Sequence, residues 1–222
     1  LYREVELPLI EVLFDMENTG VLTDSAVIEK LGNKFTQETD AYAQKIYEIA
    51  GFKFNINSPK QLASALFEQL KIPYPKKTKK YSTGAEILES MRGKYPIVDY
   101  VLKYRLVSKL LSTYIDGLKK LIDKNGRVHT EYKQMLTATG RLSSVEPNLQ
   151  NIPVRDQEGK ELRAIFIAGP GKTLVSADYS QIELRLMAHF SGDPSMLEIY
   201  NNNGDIHAMT ASRIFGVPPE EV

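Results

Sequence analysis

The stretch SADYSQIELR, residues 176–185, decides how the fold of this sequence is interpreted. An apolar run leads into it, and apolar residues at helical spacing follow it. The pattern predicts a strand over Thr173–Ala177 and a helix over about 180–191. Asp178 would then lie at the C-terminal end of a strand, facing the crevice beyond the sheet edge. A hard cation such as Mg²⁺ binds carboxylates and phosphate oxygens in such a place.

Local chemistry leaves the two acids of this stretch with two interpretations each. Asp178, with the Tyr179 carbonyl beside it, is either a magnesium ligand or a turn or capping residue. Glu183 fits a capping box with Ser180, in which each residue satisfies the other's backbone N–H, and the spacing alone favours this cap over catalysis. One carboxylate cannot make a two-metal site, whose ligands bridge ions about 3.5–4 Å apart.

The bulk composition excludes some classes of protein. The chain has 222 residues and no Cys, so disulfides and Cys-ligated zinc are excluded. Its 28 basic and 28 acidic residues cancel, so local clusters must indicate any polyanionic partner. No apolar run approaches the roughly 20 residues that span a bilayer. The chain begins without Met and stops at VPPEEV, and we expect it to be a piece of a longer protein.

Periodicity predicts a helical part followed by an α+β part. The predicted helices cover residues 2–18, Thr23 (as N-cap) to about Ala50, the segment after Ser58-Pro59, about 84–92, 97–122, 180–191, 194–200 and 205–215. Asp123–Gly126 is a turn signal, and strand-like runs follow at Arg127–Lys133, Leu162–Ala168 and Thr173–Ala177. The long aperiodic segment between the first two runs is predicted to be an ordered loop, because four apolar residues can anchor it.

Polar clusters outside the opening stretch allow both a ligand-binding and a structural interpretation. The lysines could neutralise phosphates or could be a solvated loop: Lys76, Lys77, Lys79 and Lys80. In FNINSPKQL (residues 54–62), Asn57 or Ser58 caps a helix whose free N–H groups could also hold a phosphate. His207, near a helix start, is more simply a capping or surface residue than a phosphate ligand.

The segment ATGRLSSVEPNLQNIPVR, residues 138–155, is rich in arginine and amide side chains with few acids. These side chains are Arg141, Asn148, Gln150, Asn151 and Arg155. Such groups suit phosphate, sugar and minor-groove acceptors. The alternative is a loop whose amides satisfy its own backbone, and the chemistry alone does not favour either.

Taken together, these segments resemble family A DNA polymerases of the bacterial DNA polymerase I type. TATGRLSSVEPNLQNIPVR (137–155) and VSADYSQIELR (175–185) look like two signature blocks of the family, in the expected order. GDIHAMTASRIFGVP (204–218) is similar to the start of its fingers, and KLLSTYIDGL (109–118) and FNINSPKQL to its thumb. The resemblance implies an α+β, right-hand fold that is truncated: a helical thumb, an incomplete antiparallel-sheet palm and the first helices of the fingers. The implied segments are 1–21 palm, 22–136 thumb, 137–185 palm and 186–222 fingers.

The resemblance also implies roles for individual residues. Asp178 looks like one of two metal-binding catalytic aspartates, with the Tyr179 carbonyl on the same two Mg²⁺ ions of the complete enzyme. The implied nucleotide site contains Ser180, Gln181, Ile182, Glu183 and His207, with Glu183 against the sugar and His207 near the phosphates. The implied DNA contacts are Arg141, Asn148, Gln150, Asn151 and Arg155 from the palm, and Asn55, Asn57, Ser58, Lys76, Lys77, Lys79 and Lys80 from the thumb.

The expected function is therefore that of a fragment of a DNA-directed DNA polymerase. It would bind primer–template DNA and deoxynucleoside triphosphates and have no membrane partner. Its location would be the bacterial cytoplasm, in association with the nucleoid. The fragment alone is expected to be inactive, since the family's second catalytic Asp and main fingers helix do not match anything in it. The alternative is a non-catalytic DNA-binding fragment or a split subunit that needs a partner chain. Apolar surface on the truncated sheet would favour self-association.

Overall fold

Helices with buried apolar stripes form most of the first part of the chain. The computed structural model describes residues 1–75, 81–153, 157–218 and 221. The described helices are α1 (Leu7–Thr19), α2 (Ser25–Ala50), α3 (Pro59–Ala63), α4 (Ala85–Glu89), α5 (Pro96–Lys109), α6 (Asp116–Lys119), α7 (Gln157–Arg163), α8 (Ile182–Ser191), α9 (Pro194–Asn201) and α10 (Ile206–Phe215). π-Helical turns lie at Tyr2–Glu6, Ser64–Gln69 and Leu110–Ile115. In the described residues, no helix is both long and apolar enough to cross a membrane.

Two short antiparallel pairs complete the α+β fold, which confirms the predicted class. Strand β1 (Val21–Leu22) pairs with β2 (Arg127–Val128), so that Val21 lies opposite Val128. Strand β3 (Glu131–Lys133) pairs with β4 (Ser143–Val145). The chain divides into two compact units, Leu1–Thr173 and Leu174–Val222, called unit 1 and unit 2 below.

The long helix α2 contributes to both buried clusters of unit 1. Its C-terminal half packs with α3, α4 and α5, where the fully buried side chains include Ile46, Leu62, Leu66, Leu88 and Val98. Its N-terminal half packs with the Leu110–Ile115 turn, β2 and α7, and the fully buried side chains there include Ile28, Phe35, Ile115, Val128 and Leu162. Because apolar residues recur along α2, this helix belongs to both clusters and connects the two halves of unit 1.

The start of α2 differs from the prediction by one residue. Asp24 is the N-cap, and its carboxylate accepts hydrogen bonds from the N–H groups of Ala26 (2.9 Å) and Val27 (3.2 Å). Thr23 lies one residue before the cap, and its hydroxyl donates to the Gly126 carbonyl (2.9 Å), in the turn that precedes β2. At the other end, Gly51 adopts the left-handed conformation (φ 79°) and ends the helix as predicted.

Two of the predicted strands are wrong. Leu162–Ala168 begins inside α7, and only its later part runs beside residues 22–24, where Ile167 N–H donates to the Leu22 carbonyl (3.0 Å). Thr173–Ala177 is irregular and exposed. An apolar run becomes a strand only when another strand pairs with it. Within the described residues, no strand pairs with Thr173–Ala177.

The burial of α2 leads to a matched stability prediction. Ile46 is fully buried, whereas Ile49, in the same helix, is 41% exposed. We expect Ile46→Ala to lower the free energy of unfolding by about 2–5 kcal/mol, because it leaves a cavity in the core. Ile49→Ala, the same change in the same helix, should cost less than about 1 kcal/mol. Urea unfolding of both variants in one background measures the difference, and equal losses would contradict the packing described here.

Candidate active site

Asp178 lies on an exposed, extended segment that leads into α8. Residues 172–179 form no regular element, and the side chains of Val175 and Tyr179 are 88% and 81% exposed. The predicted position at a strand end is therefore wrong, but the carboxylate is exposed to solvent, where a cation can reach it. A carboxylate next to a backbone carbonyl is a donor set that suits Mg²⁺. The segment offers one carboxylate, and no group of three or more metal-capable side chains occurs in the part of the chain that the structure describes.

Ser180 does not occupy the N-cap position that the predicted capping box with Glu183 requires. The N-cap of α8 is Gln181, which has left-handed backbone angles (φ 53°, ψ 36°) and makes no side-chain capping bond. Ser180 therefore lies one residue outside the helix, and Glu183 is the second helical residue rather than the third. A capping box needs its Ser as the N-cap in an extended conformation. Glu183 is exposed in the first turn, where a negative charge interacts favourably with the helix dipole.

Side-chain contacts within unit 2 connect the start of α8 to α9 and α10. The Gln181 amide nitrogen donates to the Asp205 carboxylate (3.2 Å), and the Tyr200 hydroxyl donates to the Gln181 amide oxygen (3.2 Å). Arg185 Nε donates to the Ser180 carbonyl (3.0 Å), and its guanidinium lies 4.7 Å from the centre of the Tyr200 ring. The predicted nucleotide residue Gln181 is thus held from two sides, while Ile182 begins α8 and is exposed.

His207 lies in the first turn of α10, and the N-cap of this helix is Asp205. Asp205 accepts hydrogen bonds from the N–H groups of His207 (2.8 Å) and Ala208 (3.5 Å). The bond from the His207 N–H, followed by the one from the Gln181 amide, lowers the pKa of the Asp205 carboxyl below its usual value. The capping residue is therefore Asp205, and the exposed His207 side chain is not needed for the cap.

The loop between β3 and β4 and the segment that follows β4 are ordered around one buried hydroxyl. Ser144 is fully buried, shares a hydrogen bond with the Thr130 hydroxyl (2.6 Å) and accepts one from the Leu149 N–H (3.0 Å). The Tyr114 hydroxyl donates to the Asn151 carbonyl and so attaches this segment to the helical part of unit 1. The prediction of an ordered loop is right in part: residues 137–153 are ordered, but they include strand β4, α7 begins at Gln157, and residues 154–156 lie outside the described residues.

The predicted DNA-binding amides of this segment differ in their surroundings. Asn148 accepts from the Gln150 N–H (3.0 Å), and the Gln150 amide bonds to the backbone of Ser144 (3.3 Å) and Leu142 (3.2 Å). These two side chains therefore satisfy the local backbone, which was one of the two interpretations. Arg141 and Asn151 have exposed side chains. Arg155 lies outside the described residues.

The predicted thumb residues cluster before α3. Ser58 is the N-cap of α3 (3.4 Å to the Gln61 N–H), Asn55 accepts from the Asn57 N–H (3.0 Å), and Asn57 donates to the Tyr104 hydroxyl (3.1 Å). Asn57 also lines an open groove on the surface of unit 1. The predicted contacts Lys76, Lys77, Lys79 and Lys80 lie outside the described residues.

Two residues of these sites were missed by the sequence interpretation. Arg105 lines the same groove as Asn57, and its guanidinium donates to the carbonyl and, at 3.1 Å, to the hydroxyl of Thr83. Burial lowers the pKa of Arg105, a cation one helical turn after Val101 and Leu102. A basic residue directly after apolar residues at helical spacing was the available signal. The sequence gives no signal for Tyr200, because an aromatic residue at a helical position usually belongs to the hydrophobic core.

A sequence profile described as DNA polymerase family A matches residues 25–222 of this chain. DNA polymerase I of Lactococcus lactis subsp. lactis (strain IL1403) is 47% identical over 222 residues, and DNA polymerase I of Bacillus subtilis (strain 168) is 48% identical over 225 residues. Both alignments cover 100% of this chain, but 25% and 26% of the relatives. The chain therefore spans about a quarter of the length of these curated relatives.

A solved structure is similar over nearly the whole chain. It is described as the POL domain of Pol1 from M. smegmatis in complex with DNA primer–template and dNTP. The TM-score is 0.89 with 40% sequence identity, and the match covers 99% of this chain and 39% of that chain.

Proposed function

Since the chain belongs to DNA polymerase family A, we propose that it contributes to template-directed DNA synthesis. In the reaction, the 3′-hydroxyl of a primer attacks the α-phosphate of a deoxynucleoside triphosphate, and pyrophosphate leaves. The observation that carries the proposal is the exposed carboxylate of Asp178, with the Tyr179 carbonyl beside it, immediately before α8. This is a place where substrate and a hard cation have access from solvent.

Asp178 and the Tyr179 carbonyl are the groups that would hold divalent metal in this chain. The chemistry that two Mg²⁺ ions supply in such sites is activation of the attacking hydroxyl and neutralisation of charge on the leaving pyrophosphate. The part of the protein is to present an oxygen ligand without a competing partner. The exposed position of Asp178 fits that requirement.

The start of α8 and the first turn of α10 would bind the nucleotide. Ser180, Gln181, Ile182 and Glu183 would line the base and sugar, with Glu183 against the position of a 2′-hydroxyl. His207 would approach the phosphates, since it lies in the first turn of a ten-residue helix whose N-terminal dipole favours anions.

The remaining predicted residues would bind primer–template DNA. Arg141 is proposed as the minor-groove reader, with Asn148, Gln150, Asn151 and Arg155 near the primer terminus. The duplex backbone would be contacted by Asn55, Asn57, Ser58 and the lysines at 76, 77, 79 and 80. Arg105, which lines the same groove as Asn57, would lie beside that residue.

In this proposal residues 1–21 and 137–185 are palm, 22–136 thumb and 186–222 fingers, and the protein acts in the bacterial cytoplasm at the nucleoid. Self-association also stays a prediction; exposed apolar side chains of α1, including Ile10, Val12 and Phe14, are compatible with it.

Primer extension tests the proposal. The full-length protein that contains this sequence should extend a primer on a template in the presence of Mg²⁺ and the correct deoxynucleotide. The 222-residue chain alone should not, because the segment before α8 offers one carboxylate and a two-metal site needs more than one. Extension by the chain alone would contradict this assignment. No extension by the full-length protein would contradict the function and favour the DNA-binding alternative.

A further inference from the structure

Gln181 has a backbone conformation that only a small fraction of non-glycine residues adopt. Its φ of 53° and ψ of 36° lie in the left-handed region, directly before the first residue of α8. Such conformations cost free energy unless the surroundings hold them, and they cluster at functional sites. The question is what holds Gln181 in this conformation.

Both ends of the Gln181 amide are engaged by other helices of unit 2. The amide nitrogen donates to Asp205 Oδ1, and the same oxygen accepts the His207 N–H that begins α10. The amide oxygen accepts from the hydroxyl of Tyr200 at the end of α9. A carboxylate can only accept a hydrogen bond, so the amide nitrogen must face Asp205 and the oxygen must face Tyr200. The orientation of the amide is thereby specified.

Apolar packing contributes little to the contacts between the helices of unit 2. Among its described residues, only Ala188, Ile199 and Tyr200 are buried, and none of them belongs to α10. The Tyr200 ring is itself covered by the Arg185 guanidinium, which reaches back to the Ser180 carbonyl. The polar contacts of Gln181, Tyr200 and Asp205 connect the start of α8 to the start of α10.

We propose that Gln181, Tyr200 and Asp205 form a positioning triad that fixes the first turn of α10, with His207, relative to the segment Asp178–Glu183. The inference rests on the proposed function, because those two elements carry the proposed nucleotide contacts. Tyr200 and Asp205 act through Gln181 and need not touch the nucleotide. Their effect is to hold two halves of one site at a fixed separation before the nucleotide arrives.

Three substitutions in the full-length protein test the triad. Tyr200→Phe removes one hydroxyl and should raise KM for the deoxynucleotide about 3- to 10-fold, the value of one hydrogen bond. Gln181→Gly keeps the left-handed backbone accessible without the amide, and it should raise KM at least as much. Asp193→Asn, at the N-cap of α9 and outside the triad, keeps a good helix cap, so KM should stay near that of the wild type. KM for primer–template should not change in any of the three.

Two further measurements distinguish a failure of the proposed triad from a failure of the proposed function. In the double variant Gln181→Gly/Tyr200→Phe, the two effects should not multiply, because both remove the same contact. Hydrogen exchange of the amides at 205–209 should accelerate in Gln181→Gly and Tyr200→Phe, whether or not the protein polymerises. Unchanged exchange, or a fall in melting temperature with no change in nucleotide KM, would overturn the triad. A wild-type protein that incorporates no nucleotide would overturn the proposed function instead, and the exchange rates would still decide the triad.

Discussion

We expect Asp178→Asn to lower kcat for nucleotide incorporation by the full-length protein about a thousandfold or more. The amide has the shape of the carboxylate but not its charge, so a bound divalent cation would lose several kcal/mol of stabilisation, and each 1.4 kcal/mol is about a factor of ten in rate. The melting temperature should not fall, because Asp178 is exposed and lies outside any regular element. Single-nucleotide incorporation at saturating substrate measures the effect.

Asp193→Asn is the matched control for that experiment. Asp193 is also an exposed aspartate of unit 2, but it is the N-cap of α9, where it accepts the Met196 N–H (2.8 Å). Asn caps a helix about as well as Asp, so the rate should stay near that of the wild type. Equal loss in both variants would mean that general charge, rather than a metal ligand at Asp178, explains the effect.

The second large effect is expected at Glu183. Glu183→Ala should reduce discrimination between deoxy- and ribonucleotides about 10- to 200-fold, because the proposed site would gain room and lose the group that we propose lies against a 2′-hydroxyl. The ratio of kcat/KM for the two nucleotides measures it. The capping-box explanation no longer competes, since Ser180 is not the N-cap of α8.

Glu198→Ala on α9 provides the comparison for Glu183. Its side chain is exposed, and it lies in the same unit on a different helix. Both changes remove a glutamate, but only Glu183→Ala should alter sugar selection. If Glu183→Ala lowers the melting temperature and leaves sugar selection intact, Glu183 serves only the first turn of its helix.

The sequence predicted what depends on local periodicity and missed what depends on distant partners. The extents of α2, α9 and α10 follow from apolar spacing, Gly51 and the caps, all of which are local signals. The strand predicted at Thr173–Ala177 needed a neighbouring strand that periodicity does not reveal. The capping box depended on the backbone angles of Gln181, which Ser180-x-x-Glu183 does not encode.

The side chains of the candidate site show the same difference between local signals and distant partners. Asp178, Glu183 and His207 came from a resemblance between linear motifs. Tyr200 could not be found in this way, because its hydroxyl acts only through its hydrogen bond to Gln181, which is nineteen residues away in the sequence. Asn148 and Gln150 could bind DNA or their own backbone, and only the folded structure shows that their oxygens already accept N–H groups of the loop.

Few of the described side chains in unit 2 are buried, so binding of the proposed nucleotide would affect how much of the unit is folded. A unit with little apolar burial opens at low free energy, so loss of the triad contacts would let its helices separate more often. A ligand that binds only the closed arrangement stabilises it by about 2.7 kcal/mol at a hundred times its dissociation constant. Nucleotide concentration would then set how much of the protein has an assembled site, and substrate binding and local folding would be one equilibrium.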